Sequence, residues 1–170
     1  MRMRIADLVM RAYDESKSIN LHNRGEDSMN KDNLAYQMSL RSRGYLNTKD
    51  REGWLSMWAE DGIIEDPIGP TILDPDGQGH CTPAAREAFY DRNIANADIE
   101  YIIHDTFTSH LECANIVTLN VLLGLGGKKY SQQVNGVFTY ACNAEGKLTA
   151  LRGYWEFDEG AATLKEVDAA

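Results

Sequence analysis

The stretch from residue 62 to residue 69 contains the strongest candidate for a catalytic group, because it places one carboxylate, Asp66, at the end of an apolar, strand-like run. Pro67 biases the residue before it toward an extended backbone, so a strand should end or bend at this point. Strand alternation then puts Asp66 on the same face as Ile64, with Glu65 on the opposite face. Desolvation on an apolar face raises the pKa of a carboxyl group toward neutrality, where a general base works best. We therefore expect Asp66 to be a general base.

Other chemical groupings in the chain are weaker. Glu65, Asp66, His80 and His104 are residue types that bind metals, but their spacing does not require a common site. Cys81 adjoins His80, yet neighbours on an extended turn diverge and do not form a nucleophile and base pair. The glycine-rich phosphate-binding motifs are missing from the sequence. We expect neither a metal nor a cofactor.

The composition predicts one compact domain, since the chain has 170 residues of which 43% are hydrophobic. No apolar run approaches the roughly 20 residues that a membrane helix needs, and Asp7 interrupts the start, so a secretory signal is not expected. The three cysteines lack the spacing of a disulfide framework or a zinc site, which favours a cytoplasmic location. A formal net charge of −9 argues against nucleic acids and anionic membranes as partners.

The elements that must position Asp66 begin with helices. Residues 1–30 predict an amphipathic helix followed by a polar linker. Residues 30–57 predict a helical hairpin, whose second helix begins at Asp50, runs through Trp58 and ends at Gly62. The residues 70–73 predict a short strand that completes a hairpin around Asp66. Thr82 and Pro83 then predict the start of a third helix in the main domain.

Strands dominate the second half of the chain. Four runs rich in β-branched and aromatic residues alternate with hairpin loops: Ile99–Thr108, Cys113–Leu123, Tyr130–Cys142 and Leu148–Phe157. Consecutive strands after helices indicate the α+β class. We expect a main domain over 31–160, an extension over 1–30 and a tail over 161–170, with fraying from residue 160 onward.

Aromatic residues on the strands predict an apolar pocket. Alternation places two sets on one face, with two glycines among them: Val134, Gly136, Phe138 and Tyr140 on one strand, and Leu151, Gly153 and Trp155 on the next. Together with Trp58, Phe89 and Tyr90, they could enclose a flat polycyclic ligand. The glycines favour empty space. The alternative is a filled core without a ligand cavity, because the same residue types also form ordinary cores.

The order of these elements resembles that of the ketosteroid isomerase-like proteins of the NTF2-like, cone-shaped α+β fold. The resemblance covers roughly residues 34–158, and four segments carry it: residues 50–55, 64–69, 136–140 and 152–155. It implies three helices packed against a curved, mostly antiparallel sheet. The N-terminal helix is an addition to that pattern. The resemblance also implies a homodimer, paired through the open face of the sheet.

The resemblance implies a role for Asp66. The family's Asp in the Glu-Asp-Pro motif removes a proton between the ketone and the double bond of a Δ5-3-ketosteroid and returns it two carbons along. In the family, a Tyr and a protonated Asp hold the intermediate dienolate. Counting without gaps, these two positions fall on Ser42 and Phe138, which replace neither donor. Removing one such donor typically costs about 2–4 kcal/mol of transition-state stabilisation.

Four residues are candidates for substitute oxyanion donors: Tyr45, Tyr140, Trp155 and His104. Trp58, Phe89, Tyr90, Phe138, Leu151 and Trp155 are the expected substrate-binding residues. The sequence therefore predicts a protein that binds a steroid or similar hydrophobic ketone and isomerises a double bond with Asp66 as base. The alternatives are a steroid- or lipid-binding module without catalysis, and a proton-transfer enzyme of the polyketide cyclase or dehydratase type.

Overall fold

A six-stranded sheet and four helices make up residues 32–167, the part of the chain that the computed structural model describes. The predicted N-terminal helix and linker over 1–30 lie outside these residues. The sheet is curved and does not close, and all but one of its strand pairs are antiparallel, so the prediction of an α+β, NTF2-like cone is confirmed.

Two helices come first and are joined by a tight turn. Helix α1 spans Leu34–Thr48 and begins at Asn33, whose side-chain oxygen accepts a hydrogen bond from the Tyr36 amide at 2.9 Å. Helix α2 spans Arg51–Ser56 and begins at Asp50, as predicted. The prediction that α2 continues to Gly62 is wrong. The chain leaves the helix after Ser56 because Trp58 already pairs with Leu148, a contact 90 residues away that local periodicity does not reveal.

Two further helices flank the sheet. Helix α3 spans Pro83–Asn93, and the predicted cap is confirmed, since the Thr82 hydroxyl accepts a hydrogen bond from the Ala85 amide at 3.1 Å. Helix α4 spans Phe157–Ala162. The three-residue strand β6, Lys165–Val167, pairs with residues 129–131 of a longer strand. The expected fraying after residue 160 is therefore wrong for residues 160–167, because their backbone is held by α4 and by the sheet.

The four predicted strands form an antiparallel meander, with β2 at Ala97–Ser109, β3 at Glu112–Leu125, β4 at Lys128–Cys142 and β5 at Leu148–Tyr154. Strand β1, Trp58–Glu65, adds to β5 in parallel, which gives the order β1-β5-β4-β3-β2. The predicted hairpin around Asp66 is wrong. Residues 70–73 contain only an isolated bridge between Thr71 and Asp74, and Ile64 pairs with His80 instead.

The sheet has an inner face, which packs against the helices, and an outer face. The inner face of β3 to β5 carries buried side chains in alternation, among them Cys113, Asn115, Val117, Phe138, Tyr140 and Leu151. The outer face carries more exposed residues such as Ile116, which is 42% exposed, and Tyr154, which is 52% exposed. Among the helices of residues 32–167, none has the length and apolar character needed to cross a membrane.

Candidate active site

Asp66 follows directly on β1 and is fixed by backbone contacts on both sides. Ile64 is fully buried and exchanges backbone hydrogen bonds with His80, at 3.3 Å and 2.8 Å. Two residues beyond Asp66, the Ile68 amide donates to the Gly153 carbonyl at 3.1 Å. Glu65 turns away and pairs with Arg152 at 2.6 Å. The predicted alternation of this strand is thereby confirmed.

The Asp66 carboxylate lies against Gly153 and Trp155. Its Oδ1 accepts a hydrogen bond from the Trp155 indole Nε1 at 2.6 Å. A side chain on Gly153 would collide with this oxygen, and one on Gly136 would meet the Tyr154 carbonyl oxygen at 2.6 Å. The interpretation of these two glycines as a sign of empty space is wrong, because Asp66 and the segment around Trp155 occupy the room that they leave.

Burial raises the pKa of Asp66 from 3.8 to about 6, and the hydrogen bond from Trp155 partly opposes the increase. A carboxyl group with this pKa is mostly ionised at pH 7 yet far more basic than a solvated aspartate. Such a group is in the ionised form that can accept a proton, and its raised pKa makes proton removal from a substrate more favourable. The environment of Asp66 therefore suits a general base.

A row of inner-face residues crosses the sheet from Asp66. Gly153 is in register with Phe138 on β4, and Phe138 is in register with Asn115 on β3. Phe138 is 2% exposed, and its ring contacts Tyr101 with 5.8 Å between centroids and 64° between planes. The Phe138 ring thus forms an apolar surface between the Asp66 carboxylate on one side and the polar side chains of Asn115 and Tyr101 on the other.

Tyr140 lies one inner-face position along β4 from Phe138 and is buried. Burial raises the pKa of Tyr140 to about 12, while the neighbouring hydroxyls of Tyr101 and Ser42 act in the opposite direction. The Ser42 hydroxyl accepts a hydrogen bond from the Trp54 indole at 3.1 Å. Tyr140 is therefore a protonated phenol near neutral pH, and its position agrees with its predicted role as a donor, which stays a prediction.

The other candidate donors lie elsewhere or are already engaged. The single N–H of the Trp155 indole is donated to Asp66, so it serves the base and not a second oxygen. His104 is exposed on the outer face, where its Nε2 lies 2.8 Å from the Thr118 hydroxyl. Tyr45 packs with its ring edge against Gly53, at the turn between α1 and α2. These placements favour Tyr140 among the four predicted donors.

The predicted substrate-binding residues divide into two groups. Phe138, Leu151 and Trp155 lie close to Asp66, and Leu151 is in register with both Tyr140 and Ile64. Trp58, Phe89 and Tyr90 surround Trp54 in another part of the same hydrophobic core, with centroid distances to the Trp54 ring of 5.4 Å, 6.4 Å and 5.4 Å. A role for this second group in binding substrate stays a prediction.

An open groove of about 1060 Å³ lies where α1 ends and β2 begins. Its lining includes Leu46 of α1, Ile99 of β2, Val121 of β3 and Thr163 after α4. Ile99 is two residues from Tyr101 along β2, so the two side chains share the inner face. The groove thus includes inner-face residues of β2 and β3, but neither Asp66 nor Tyr101 is among the residues that line it.

Two polar residues near Phe138 are absent from the sequence-based predictions. Asn115 is fully buried on β3, and Tyr101 is 8% exposed on β2. The sequence contains one signal for Asn115: this polar residue lies on the same strand face as Cys113 and Val117, in a strand that is otherwise apolar. Among residues 32–167, no group of three His, Cys, Asp or Glu side chains could hold a metal ion.

No protein-family model matches the chain, and no curated protein sequence is significantly similar to it. Solved structures do match. The Δ5-3-ketosteroid isomerase from Mycobacterium sp. has 36% identity and a TM-score of 0.70, with 79% of this chain and 99% of that chain covered. RV0760c from Mycobacterium tuberculosis, solved in complex with estradiol-17beta-hemisuccinate, has 37% identity and a TM-score of 0.68, with coverages of 78% and 98%.

A computationally designed 17-OHP binder is also similar, with 35% identity, a TM-score of 0.70 and coverages of 79% and 99%. A SnoaL-like polyketide cyclase from Shewanella denitrificans has the same fold at 14% identity. Identities of 35–37% over nearly the whole length of the first three structures place this chain in their family. The chain belongs to the ketosteroid isomerase-like proteins of the NTF2-like superfamily.

Proposed function

We propose that the protein binds a steroid or a similar hydrophobic ketone and isomerises its double bond, with Asp66 as the general base. The observation that carries this proposal is the desolvated Asp66 carboxylate, held by Trp155 at 2.6 Å and with a pKa of about 6. A matching steroid isomerase with 36% identity supports the choice of substrate class.

The proposed reaction is an internal proton transfer. The Asp66 carboxylate removes a proton from the carbon between the ketone and the double bond, and the electron pair moves into a dienolate. The protonated Asp66 then returns the proton two carbons along, so that the enone becomes conjugated and no atom is gained or lost. The Trp155 indole stabilises the ionised carboxylate between turnovers. Phe138 and Leu151 supply apolar surface for the rings.

A Δ5-3-ketosteroid tests this proposal directly. The conjugated product absorbs in the ultraviolet, so turnover is followed by the rise in absorbance. We expect the Asp66→Asn variant to lose on the order of a thousandfold in kcat while keeping its thermal unfolding temperature, because general-base catalysis contributes about 10²–10⁴ in rate. Turnover that is unchanged in Asp66→Asn would refute the proposed role of the carboxylate.

The second candidate function is steroid binding without catalysis. The observation that favours it is the pair of residues at the family's donor positions, since the short Ser42 side chain is buried against the Trp54 indole and Phe138 has no donor. The match to a steroid complex and to a designed binder agrees with a binding role for this fold. Saturable binding of estradiol together with no turnover of the Δ5-3-ketosteroid would select this function.

We further propose that two copies pair through the outer face of the sheet. Phe107, Ile116 and Tyr154 are 51%, 42% and 52% exposed there, and their strands are adjacent or nearly so. Exposed apolar groups on one sheet face are typical of a subunit interface. Sedimentation should give about twice the monomer mass for the wild type and the monomer mass for Ile116→Lys. A monomeric wild type would exclude the pairing.

A further inference from the structure

Two buried hydrogen-bond donors near Phe138 have no partner among residues 32–167. They are the Tyr101 hydroxyl and the Asn115 side-chain amide Nδ2. Buried donors in folded proteins are nearly always paired, and an exception calls for an explanation. A ligand with an acceptor oxygen would provide one.

The Asn115 side chain is held in a defined orientation. Its Oδ1 accepts a hydrogen bond from the Thr106 hydroxyl at 2.8 Å, and both residues are buried on the inner face. Because the acceptor end of the amide is engaged, the donor end remains for another group. The Tyr140 hydroxyl and the Asn115 side chain both lie close to the Tyr101 hydroxyl, so these three polar groups form one buried cluster.

Both unpaired donors lie around Phe138, the position where the family resemblance places its protonated Asp. Asn115 is the direct cross-strand partner of Phe138, and the Tyr101 ring contacts the Phe138 ring at 5.8 Å. On the other side, Phe138 pairs with Gly153, against which Asp66 lies. Neighbouring strands are about 4.8 Å apart, so the backbones of Asn115 and Gly153 are separated by roughly 10 Å. A ring system lying over Phe138 would therefore have the base on one side and the two donors on the other.

We propose that Tyr101 and Asn115 form the oxyanion site of this protein and bind the carbonyl oxygen of the ketone opposite Asp66. This inference rests on the proposed function. It places the donors missing at Ser42 and Phe138 on the neighbouring strands β2 and β3. As the carbonyl oxygen gains charge in the dienolate, the hydrogen bonds to it strengthen, and the transition state is stabilised relative to the bound ketone.

The protonation states agree with this role. Burial is the main cause that raises the pKa of Tyr101 well above its ordinary value, and nearby Tyr140 and Asp66 add to the increase. The phenol thus keeps its proton through the pH range in which Asp66 becomes ionised. The Asn115 amide carries no charge to begin with. Both groups are neutral donors, so they do not compete with Asp66 for its proton.

Estradiol is the probe for this site, since its phenol oxygen resembles the dienolate oxygen and needs no turnover to bind. We expect Tyr101→Phe and Asn115→Leu each to weaken estradiol binding about tenfold or more, as measured by calorimetry on the full chain. Tyr154→Phe is the matched control, because it makes the same chemical change on the outer face, where Tyr154 is 52% exposed, so estradiol binding should change less than twofold.

The outcomes separate this inference from the proposed function. Weaker estradiol binding in Tyr101→Phe, with no ketosteroid turnover by the wild type, would uphold the donor site and reject the isomerase. Normal turnover together with unchanged estradiol binding in Tyr101→Phe would overturn the donor site and leave the isomerase intact. No binding of estradiol to the wild type would also overturn the donor site. Tyr101→Phe keeps the shape of the ring, so thermal unfolding should confirm that it is folded even where Asn115→Leu is not.

Discussion

The two faces of the strands β2, β3 and β4 differ in whether their polar side chains have hydrogen-bond partners. On the outer face, Thr118 lies 2.8 Å from the His104 ring and donates to Asn135 at 2.7 Å, and Asn120 donates to Glu100 at 2.8 Å. On the inner face, the Tyr101 hydroxyl and the Asn115 amide nitrogen have no partner among residues 32–167. Water could satisfy the outer groups at little cost, yet they are paired. The two buried donors, for which pairing matters most, have no partner in the described part of the chain, and this contrast is the basis of the proposed oxyanion site.

The largest effect is expected where the inner face is most crowded, at Gly153. A methyl group there would collide with the Asp66 carboxylate and with the Trp155 indole. We expect Gly153→Ala to reduce ketosteroid turnover at least a hundredfold and to lower the free energy of unfolding by about 1–3 kcal/mol. Steady-state kinetics and denaturant unfolding measure the two effects.

Gly44→Ala is the control for Gly153→Ala, because nothing lies within 4 Å of its added Cβ and the residue is exposed on α1. This variant should be as active as the wild type and more stable by about 0.5–1 kcal/mol. A Gly153→Ala variant as active as Gly44→Ala would show that the close approach of Asp66 to β5 is not needed.

A second prediction concerns the pH dependence of turnover. Asp66 must be ionised to act as a base, so activity should rise through a pH of about 6 and level off above it. The hydrogen bond from Trp155 favours the ionised form and lowers the pKa of Asp66, so its removal should raise that pKa. In Trp155→Phe the rise in activity should move to higher pH by about one to two units.

The control for Trp155→Phe is Tyr154→Phe, since Tyr154 is 52% exposed on the outer face. Its rise in activity should stay at the pH of the wild type. If the rise in activity had the same midpoint pH in the wild type and in both variants, the pH dependence of turnover would not come from the titration of Asp66.

A third prediction compares one threonine from each face. Thr106→Val removes the donor to the buried Asn115 Oδ1 and leaves that oxygen unpaired, so the free energy of unfolding should fall by about 1–3 kcal/mol. Thr118→Val breaks a more exposed chain of hydrogen bonds and should cost less than about 1 kcal/mol. Urea unfolding of both variants measures the difference, and equal losses would contradict the contrast between the two faces.

The smallest effect is expected for the outer-face ion pair next to Asp66. The side chains of Arg152 and Glu65 are 39% and 21% exposed, so solvent screens their attraction. Their coupling energy in a double-mutant cycle with Arg152→Ala and Glu65→Ala should be below about 1 kcal/mol and should decline in high salt. Ketosteroid turnover should change less than twofold. A large loss of turnover in either variant would mean that the pair orients Asp66.

The sequence predicted much of the fold because its strands are long and their turns contain glycine or other turn residues. The meander from β2 to β5, the helix caps at Asp50 and Thr82, and the place of Asp66 all depend on local signals. The features that the sequence did not predict are pairings between parallel strands or between strands that are distant in the chain. Strand β1 begins where a helix was expected because β5 is its partner, and β6 is held by β4.

For the site, the sequence by itself identified Asp66 as the candidate base, because a Glu-Asp-Pro motif after an apolar strand both positions Asp66 and matches a known family. It also predicted that Ser42 and Phe138 do not supply the family's donors. Only the tertiary structure decided what surrounds these residues. Strand register brings Asn115, Phe138 and Gly153 into one row, and the Tyr101 ring packs on Phe138 from β2. The alternation of a single strand fixes the face of a side chain, whereas its neighbours depend on pairings between distant segments, which no local pattern encodes.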